Sequence, residues 1–437
     1  MNDLSRRGLT PAPPASLGPP SEPERARHFR TGPFGVLDIG TTKIACLIGR
    51  TESDGTLRVL GFGWQKGRGV RGGGIVDLEE AEKAIRACVG QAEDMADTRL
   101  RSVTVNLTCG QPESKLFNVQ WPVGGRAVDE SDIRAVVREG RLRSASEGRE
   151  AIHALPLNFS VDDTDRVADP RGLFCTTLTS RLHIIDAAST ALRSLGACIS
   201  RCDLEIEELV SAPMAAGLST LVADERELGV TVIDMGGGTT GMAVFAEGQL
   251  LHTAQLPVGG MHVTKDLAAG LSTPIGHAER LKTLYGNVQS SPDDEKELLP
   301  VPLVGEDEGQ LAQVPRMMVV NIIRPRLEET FELVKDRLDS SGMQRASGNR
   351  VVLTGGACQL PGIRDLAARM LGKQVRLARP ASLRGLPDLA SGPAFATAAG
   401  LLTWAAGAGQ TFHDVDFEVE RPASLFRRIV NFLKERV

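Results

Sequence analysis

Apolar and polar positions along the chain form short β-type runs and longer helical stripes, and one arrangement of them occurs twice. Phe34-Gly-Val-Leu-Asp38-Ile-Gly40-Thr41-Thr42-Lys43-Ile-Ala-Cys-Leu-Ile48 reads as an apolar strand, a tight turn bearing hydroxyls and a lysine, and a second apolar strand. Much later, Val230-Thr-Val-Ile-Asp234-Met-Gly236-Gly237-Gly238-Thr239-Thr240-Gly241-Met-Ala-Val-Phe245 follows the same grammar: a strand ending in Asp, then x-Gly, hydroxyls and a further strand. Two copies of one device predict two related α/β domains facing each other. A third segment, Arg350-Val-Val-Leu-Thr354-Gly355-Gly356-Ala357, is a buried strand running into a glycine turn. Pro361-Gly362-Ile363 then leads into a helix over 364–371.

Two blocks interrupt this frame. Residues 103–181 carry strands of their own, in Ser102-Val-Thr-Val-Asn-Leu107 and Leu116-Phe-Asn-Val-Gln-Trp121, and a helix over 130–144 with Asp129 as its N-cap. They predict a small α/β subdomain. The second block spans 255–335, and its acidic, Pro-rich middle at 290–315 predicts a surface excursion or hairpin. A helix over 327–338 follows, with Arg324 and Arg326 at its head. The uncharged stretch 389–412 is dominated by small residues and interrupted by Pro393, which favours a buried helix over 394–405 rather than a membrane span.

The final residues have a different pattern. On a helix over 424–437, Leu425, Phe426, Ile429, Val430, Phe432, Leu433 and Val437 gather on one side, opposite Arg427, Arg428, Asn431, Lys434 and Glu435. At about 1.5 Å per residue it would reach ~21 Å, short of the ~30 Å hydrocarbon core. A basic amphipathic helix of this kind lies flat on anionic lipid.

Composition narrows the classes. A chain of 437 residues divides into more than one domain, and 41% hydrophobic with 24% charged residues is ordinary for a globular protein. A net charge of −5, one Tyr and three Trp argue against nucleic acid as a partner. Seven scattered cysteines without a C-x-x-C pair fit buried thiols in a reducing compartment. The first 32 residues lack an apolar core and are rich in Pro, Ser and Gly, which predicts a disordered tail rather than a secretory signal.

The repeated turns suit a nucleoside triphosphate. Glycines let backbone N–H groups approach phosphate oxygens, hydroxyls and a cation serve the outer phosphates, and carboxylates hold Mg²⁺ through water. Gly40, Thr41, Thr42 and Lys43 form one jaw, Gly236, Gly237, Gly238 and Thr239 the other. Asp38 and Asp234 would flank Mg²⁺, and Gly355 and Gly356 would let the adenosine of ATP lie against bare backbone.

These three segments, in this order, resemble the two phosphate motifs and the adenosine motif of the actin, Hsp70 and sugar-kinase superfamily. Asp38-Ile-Gly-Thr-Thr-Lys43, Gly74-Ile-Val-Asp-Leu78, Glu227-Leu-Gly-Val-Thr-Val-Ile-Asp234-Met-Gly-Gly-Gly238 and Val352-Leu-Thr-Gly-Gly-Ala357 are similar to segments of the FtsA family of actin-like bacterial cell-division proteins. The similarity spans roughly residues 34–404 and then the extreme C-terminus. It implies an actin-like two-domain fold of duplicated RNase H-like domains with an inserted α/β subdomain. Subdomain 1A would comprise 33–102, 182–228 and 391–404; the insert, 1C, 103–181; 2A, 229–254 and 336–390; and 2B, 255–335. A linker at 405–422 would lead to a membrane-targeting helix at 423–437. The resemblance further implies that Glu279 and Lys282 lie near the ribose and that the 255–335 lobe takes the C-terminal peptide of FtsZ, with Arg324 and Arg326 as candidates for gripping its carboxylates. It implies self-association into a filament, contacts of the insert with later division proteins, and a position on the cytoplasmic face of the inner membrane at the septum.

Two departures point to binding over turnover. Gly241 stands where phosphate loops of the G-G-G-T-x-D type carry an acid, and Ala212 stands where efficient hydrolases place Glu before Pro213. Without a base the chemical step loses ~10²–10⁴-fold, so at most weak ATPase activity is expected. A sugar or acid kinase, which would need such a carboxylate, and a pilus-assembly ATPase-like scaffold remain alternatives of the same fold.

Overall fold

The computed structural model describes residues 32–306 and 311–407. The terminal helix at 423–437, nearly all of the linker at 405–422 and all but residue 32 of the N-terminal tail lie outside the described residues.

Three strands open the first sheet: β1 (Phe34–Ile39), β2 (Lys43–Thr51) and β3 (Leu57–Lys66). A short ladder, β4 (Val70–Arg71) with β5 (Gly74–Ile75), leads to α1 (Leu78–Ala96), whose N-cap Asp77 accepts from the backbone N–H groups of Glu79 and Glu80. The next strand, β6 (Ser102–Leu107), pairs parallel with β1 and with β11 (Glu205–Ser211), so the order is β11-β6-β1-β2-β3. The 102–107 strand therefore belongs to the first sheet and not to the insert in which the sequence pattern placed it. Alternating apolar residues suit a strand in either sheet; the partner decides.

The inserted sheet runs from β7 (Glu113–Pro122) through β8 (Arg149–Val161) and β9 (Thr164–Val167) to β10 (Thr177–Ala188), in the order β7-β10-β8-β9. It continues seven residues past the expected boundary at 181. Its one helix, α2 (Glu130–Ser144), begins at the expected position with a capping box on Asp129, and buries Ile133, Val136 and Val137 against the sheet. The chain returns through α3 (Ser189–Arg201), β11, α4 (Ala212–Thr220) and α5 (Ala223–Leu228).

The second domain repeats the first. Strands β12 (Val230–Met235), β13 (Thr240–Ala246) and β14 (Gln249–Leu256) form an antiparallel meander, and β17 (Arg350–Thr354) and β18 (Gln374–Leu377) add in parallel beside β12. The order β14-β13-β12-β17-β18 matches β3-β2-β1-β6-β11 strand for strand. Between β14 and β17 lie α6 (Gly260–Gly270), α7 (Ile275–Tyr285), the surface hairpin of β15 (Leu298–Pro302) and β16 (Leu311–Pro315), and α8 (Arg316–Ser340). Helix α9 (Ile363–Leu371) links β17 to β18, and α10 (Ala396–Ala405) closes the described chain.

One core joins the two sheets. Val36 and Leu47 of the first and Val232 and Phe245 of the second pack around Met214 and Ala215 of α4 and Leu401 and Leu402 of α10. The helices touch backbone to backbone: a Cβ on Gly400 would lie 1.7 Å from the Ala215 carbonyl oxygen. The insert also reaches the second domain, where β14 is an edge strand. Ser114 Oγ accepts from Thr253 N–H at 3.2 Å, and His183 Nδ1 lies 3.0 Å from the Leu250 carbonyl oxygen. A carbonyl can only accept, so Nδ1 carries the proton and Nε2 accepts from Ser114 Oγ at 2.5 Å. These bonds use outward-facing backbone groups of an otherwise open sheet edge.

Candidate functional site

The two strand–turn–strand devices meet across one cleft. Each turn closes identically: Gly40 N–H donates to the Lys43 carbonyl and Gly236 N–H to the Thr239 carbonyl, both at 2.9 Å. The tips are in contact, since a Cβ on Gly237 would fall 2.4 Å from Thr42 Cγ2 and one on Gly238 2.2 Å from Thr41 Oγ1. Asp38, Gly40, Thr41, Thr42, Lys43, Asp234, Gly236, Gly237, Gly238, Thr239, Gly355 and Gly356 all line the cleft, whose cavity volume is about 120 Å³.

The charged groups are held in place. Lys43 Nζ lies 2.8 Å from Asp38 Oδ2 and 4.4 Å from the centre of the Phe395 ring. Asp38 Oδ1 accepts from Asn106 Nδ2 at 2.9 Å, and Asn106 Oδ1 accepts from Ile39 N–H at 2.7 Å. Across the cleft, Asp234 Oδ2 accepts from Thr397 Oγ1 at 2.8 Å. Burial pushes the Asp234 carboxyl up to about 6; the Thr397 hydrogen bond opposes this, Asp38 adds to it and Lys43 opposes it. A divalent cation brought in with phosphates would relieve that burden. Among the described residues no group of three or more His, Cys, Asp or Glu side chains could cage a metal. Two carboxylates already engaged by neighbours suit Mg²⁺, which keeps several waters and takes one or two carboxylates plus phosphate oxygens.

Several lining residues escaped the sequence reading: Gly73, Asn106, Thr108, Gln255, Ala394 and Thr397. Asn106 had one signal, a lone polar side chain between buried Val105 and Leu107 at the carboxyl end of a parallel strand.

Glu279 and Lys282 stand outside the two glycine turns, on α7. Lys282 Nζ contacts Glu279 Oε2 at 2.7 Å, Thr264 Oγ1 at 2.8 Å and the Gly260 carbonyl at 3.1 Å. All three ammonium donors are thereby used in tying α7 to α6. Gly260 N–H in turn donates to the Gly236 carbonyl, so this cluster supports the second turn from behind. Arg324 and Arg326 are not at a helix head. Helix α8 begins at Arg316 and runs through Pro325 because Val319, Val320, Ile323, Leu327, Phe331, Val334 and Leu338 form one continuous buried stripe. Arg326 pairs with Asp266 at 2.6 Å and also with Glu329, whereas exposed Arg324 pairs with Glu328 at 2.8 Å. Leu425, Phe426, Arg427, Arg428, Ile429, Phe432, Leu433 and Lys434 lie outside the described residues.

A duplicated sheet with a phosphate-type turn at each hairpin, closing on one cleft, is the actin-like ATPase fold. The PilM–PilN type IV pilus biogenesis complex superposes with a TM-score of 0.61 at 17% identity, covering 85% of this chain and 98% of that one. MreB5 of Spiroplasma citri bound to ADP superposes at 0.53 with 13% identity over 88% and 99%. Within that fold the sequence is specific. Residues 231–400 match the family described as cell division protein FtsA, and 110–186 match the SHS2 domain inserted in FtsA. The cell division protein FtsA of Rhizobium meliloti is 41% identical over 93% of this chain and 95% of its own length. Those of Pseudomonas aeruginosa and Escherichia coli K12 are each 32% identical over 84% of this chain and 88% of their own. The chain belongs to the FtsA family of cell-division proteins.

Proposed function

We propose that this protein is an ATP-binding, self-assembling division protein that tethers the FtsZ ring to the cytoplasmic face of the bacterial inner membrane and recruits later division proteins. The facing turns carry this reading. They present Gly40 to Lys43 and Gly236 to Thr239 to one cleft, with Asp38 and Asp234 beside it, and MreB5 of the same fold is described bound to ADP and to AMPPNP. Gly355 and Gly356 would take the adenosine, with Glu279 and Lys282 on the ribose side. Bound Mg²⁺ would offset phosphate charge; Asp38 and Asp234 would hold its waters, and Lys43 would pair with the outer phosphates. Ala212 and Gly241 leave no carboxylate to activate water, so binding dominates over hydrolysis.

The 255–335 lobe would take the FtsZ C-terminal peptide, and exposed Arg324 is better placed to meet its carboxylates than Arg326. The 423–437 segment would anchor the assembly, its apolar arc in the interface and Arg427, Arg428 and Lys434 at the headgroups. Co-sedimentation of the full chain with FtsZ and anionic vesicles, with and without Mg·ATP, tests the proposal. Pelleting of FtsZ that needs this protein is expected, and loss of residues 423–437 or Phe432→Glu should abolish it. Equal pelleting by intact and truncated chains would refute the anchor; FtsZ left in solution by the vesicle-bound chain would refute the tether.

A further inference from the structure

We infer that Gln255 is the residue through which the second domain reads the terminal phosphate of a bound nucleoside triphosphate. The inference rests on the nucleotide reading of the cleft. Gln255 lies near the end of β14, paired with Gly241 in the β13–β14 ladder, and it lines the cleft with Ala212, Asp234 and the Gly236–Thr239 turn. Its side-chain oxygen is buried, and none of the described residues offers it a hydrogen bond. A native protein rarely leaves a buried polar atom unpaired without a functional reason or a bound partner. An amide oxygen only accepts, so the partner it lacks is a donor such as water, and a phosphate oxygen would meet the N–H groups of the same carboxamide.

Gly241 explains how the side chain fits. A Cβ at residue 241 would lie 3.0 Å from Gln255 Oε1 and 3.1 Å from Pro213 Cβ. Any larger residue, an acid included, would therefore press on the space that the carboxamide occupies. The two departures at Ala212 and Gly241 thus border one place, and Gln255 fills it. A carboxamide brings two N–H donors and one acceptor oxygen but no charge. It can donate to a phosphate oxygen and accept from water without repelling the triphosphate, and it cannot take up a proton at neutral pH. Such a group distinguishes triphosphate from diphosphate without supplying a strong base.

Equilibrium titration of the full chain with Mg·ADP and with a non-hydrolysable Mg·ATP analogue tests this, read as the ratio of the two dissociation constants. The wild type should prefer the triphosphate. Gln255→Ala should reduce that preference about tenfold, the scale of one hydrogen bond to a charged group, and leave ADP affinity unchanged. Gln255→Glu should reduce it further by repulsion, and Gly241→Ala should act like Gln255→Ala by displacing the carboxamide. A wild-type ratio in Gln255→Ala, equal weakening of both nucleotides, or a wild type with no preference would each overturn the inference while leaving the nucleotide site standing. A wild type that binds neither nucleotide would overturn the site itself, and the inference with it.

Discussion

Replacing Gly237 by Ala tests whether the two turns close on phosphate. The added methyl would sit 2.4 Å from Thr42 Cγ2 and 2.6 Å from Thr42 Oγ1, where ordinary contacts begin at 3.4 Å. The overlap is therefore about 1 Å, and overpacking of that order costs roughly 1–3 kcal/mol. Neither hairpin has to absorb it, because the clash lies between tips and opening the cleft relieves it. The strain should fall on the closed, nucleotide-bound state. At about 1.4 kcal/mol per tenfold, Mg·ATP affinity should drop roughly five- to a hundredfold, while the thermal midpoint of the free protein stays close to wild type. Isothermal titration of Gly237→Ala, Thr42→Ser and the double variant completes a cycle. Thr42→Ser deletes the methyl at 2.4 Å and frees the hydroxyl, itself at 2.6 Å, to turn away, so the double variant should recover part of the affinity lost in Gly237→Ala, with a coupling of ~0.5–3 kcal/mol. Wild-type affinity in folded Gly237→Ala would refute closure on the ligand. A weakened single variant that Thr42→Ser fails to rescue would place the strain elsewhere.

Other outcomes follow from the same geometry. Asn106→Ala removes the partners of Asp38 Oδ1 and Ile39 N–H; the free protein should lose about 1–3 kcal/mol in urea unfolding, and an unchanged midpoint would show that water replaces the carboxamide. The Asp234 carboxyl is raised from its ordinary 3.8 to about 6, so its effect on the free fold is most favourable below 3.8 and is lost as pH rises through 6. Bound Mg·ATP would remove that burden, and the ligand-induced rise in melting temperature should then grow from pH 5 to pH 7.5; a pH-independent rise would separate Asp234 from a bound metal. Burial holds His183 down to about 3. The unfolded chain takes up a proton below about 6.5 and the folded one does not, so acid should weaken the fold by ~1.4 kcal/mol per pH unit between those limits, and His183→Gln should flatten the slope measured by chemical denaturation. Charge reversal at Arg324 should lower affinity for an FtsZ C-terminal peptide in a fluorescence-anisotropy titration without changing stability; unchanged affinity would remove Arg324 from that surface.

What could be read from sequence was what lies close together in it. The Asp-x-Gly devices are contiguous, and their strands, turns and facing domains are legible from local pattern alone. The capping box at Asp129 is equally local, and so the α2 boundaries agree. Asn106 meets Asp38 across 68 residues and Thr397 meets Asp234 across 163; no periodicity carries such pairings. The edge of the insert was missed because Val103, Val105 and Leu107 would alternate alike in either sheet. Helix α8 was cut short because the residue before a proline is biased away from helix, yet the buried stripe from Val319 to Leu338 outweighs that bias.

The contact between the insert and β14 bears on how far the cleft can open. Covalently the insert belongs to the first domain, since it leaves from β6 and returns toward β11, but Ser114 and His183 bind the edge of the second. It is therefore a strut across two bodies whose other joint is the close crossing of α4 and α10 at Gly400. Separation of the domains at β14 must break the bonds to Thr253 N–H and the Leu250 carbonyl, each worth about 0.5–1.5 kcal/mol net once water replaces the lost partner. Small rotations that keep the strut attached are inexpensive and large ones are not. With Gln255 on the same strand, two residues beyond Thr253, the far end of that strut reaches the wall of the cleft between the two turns.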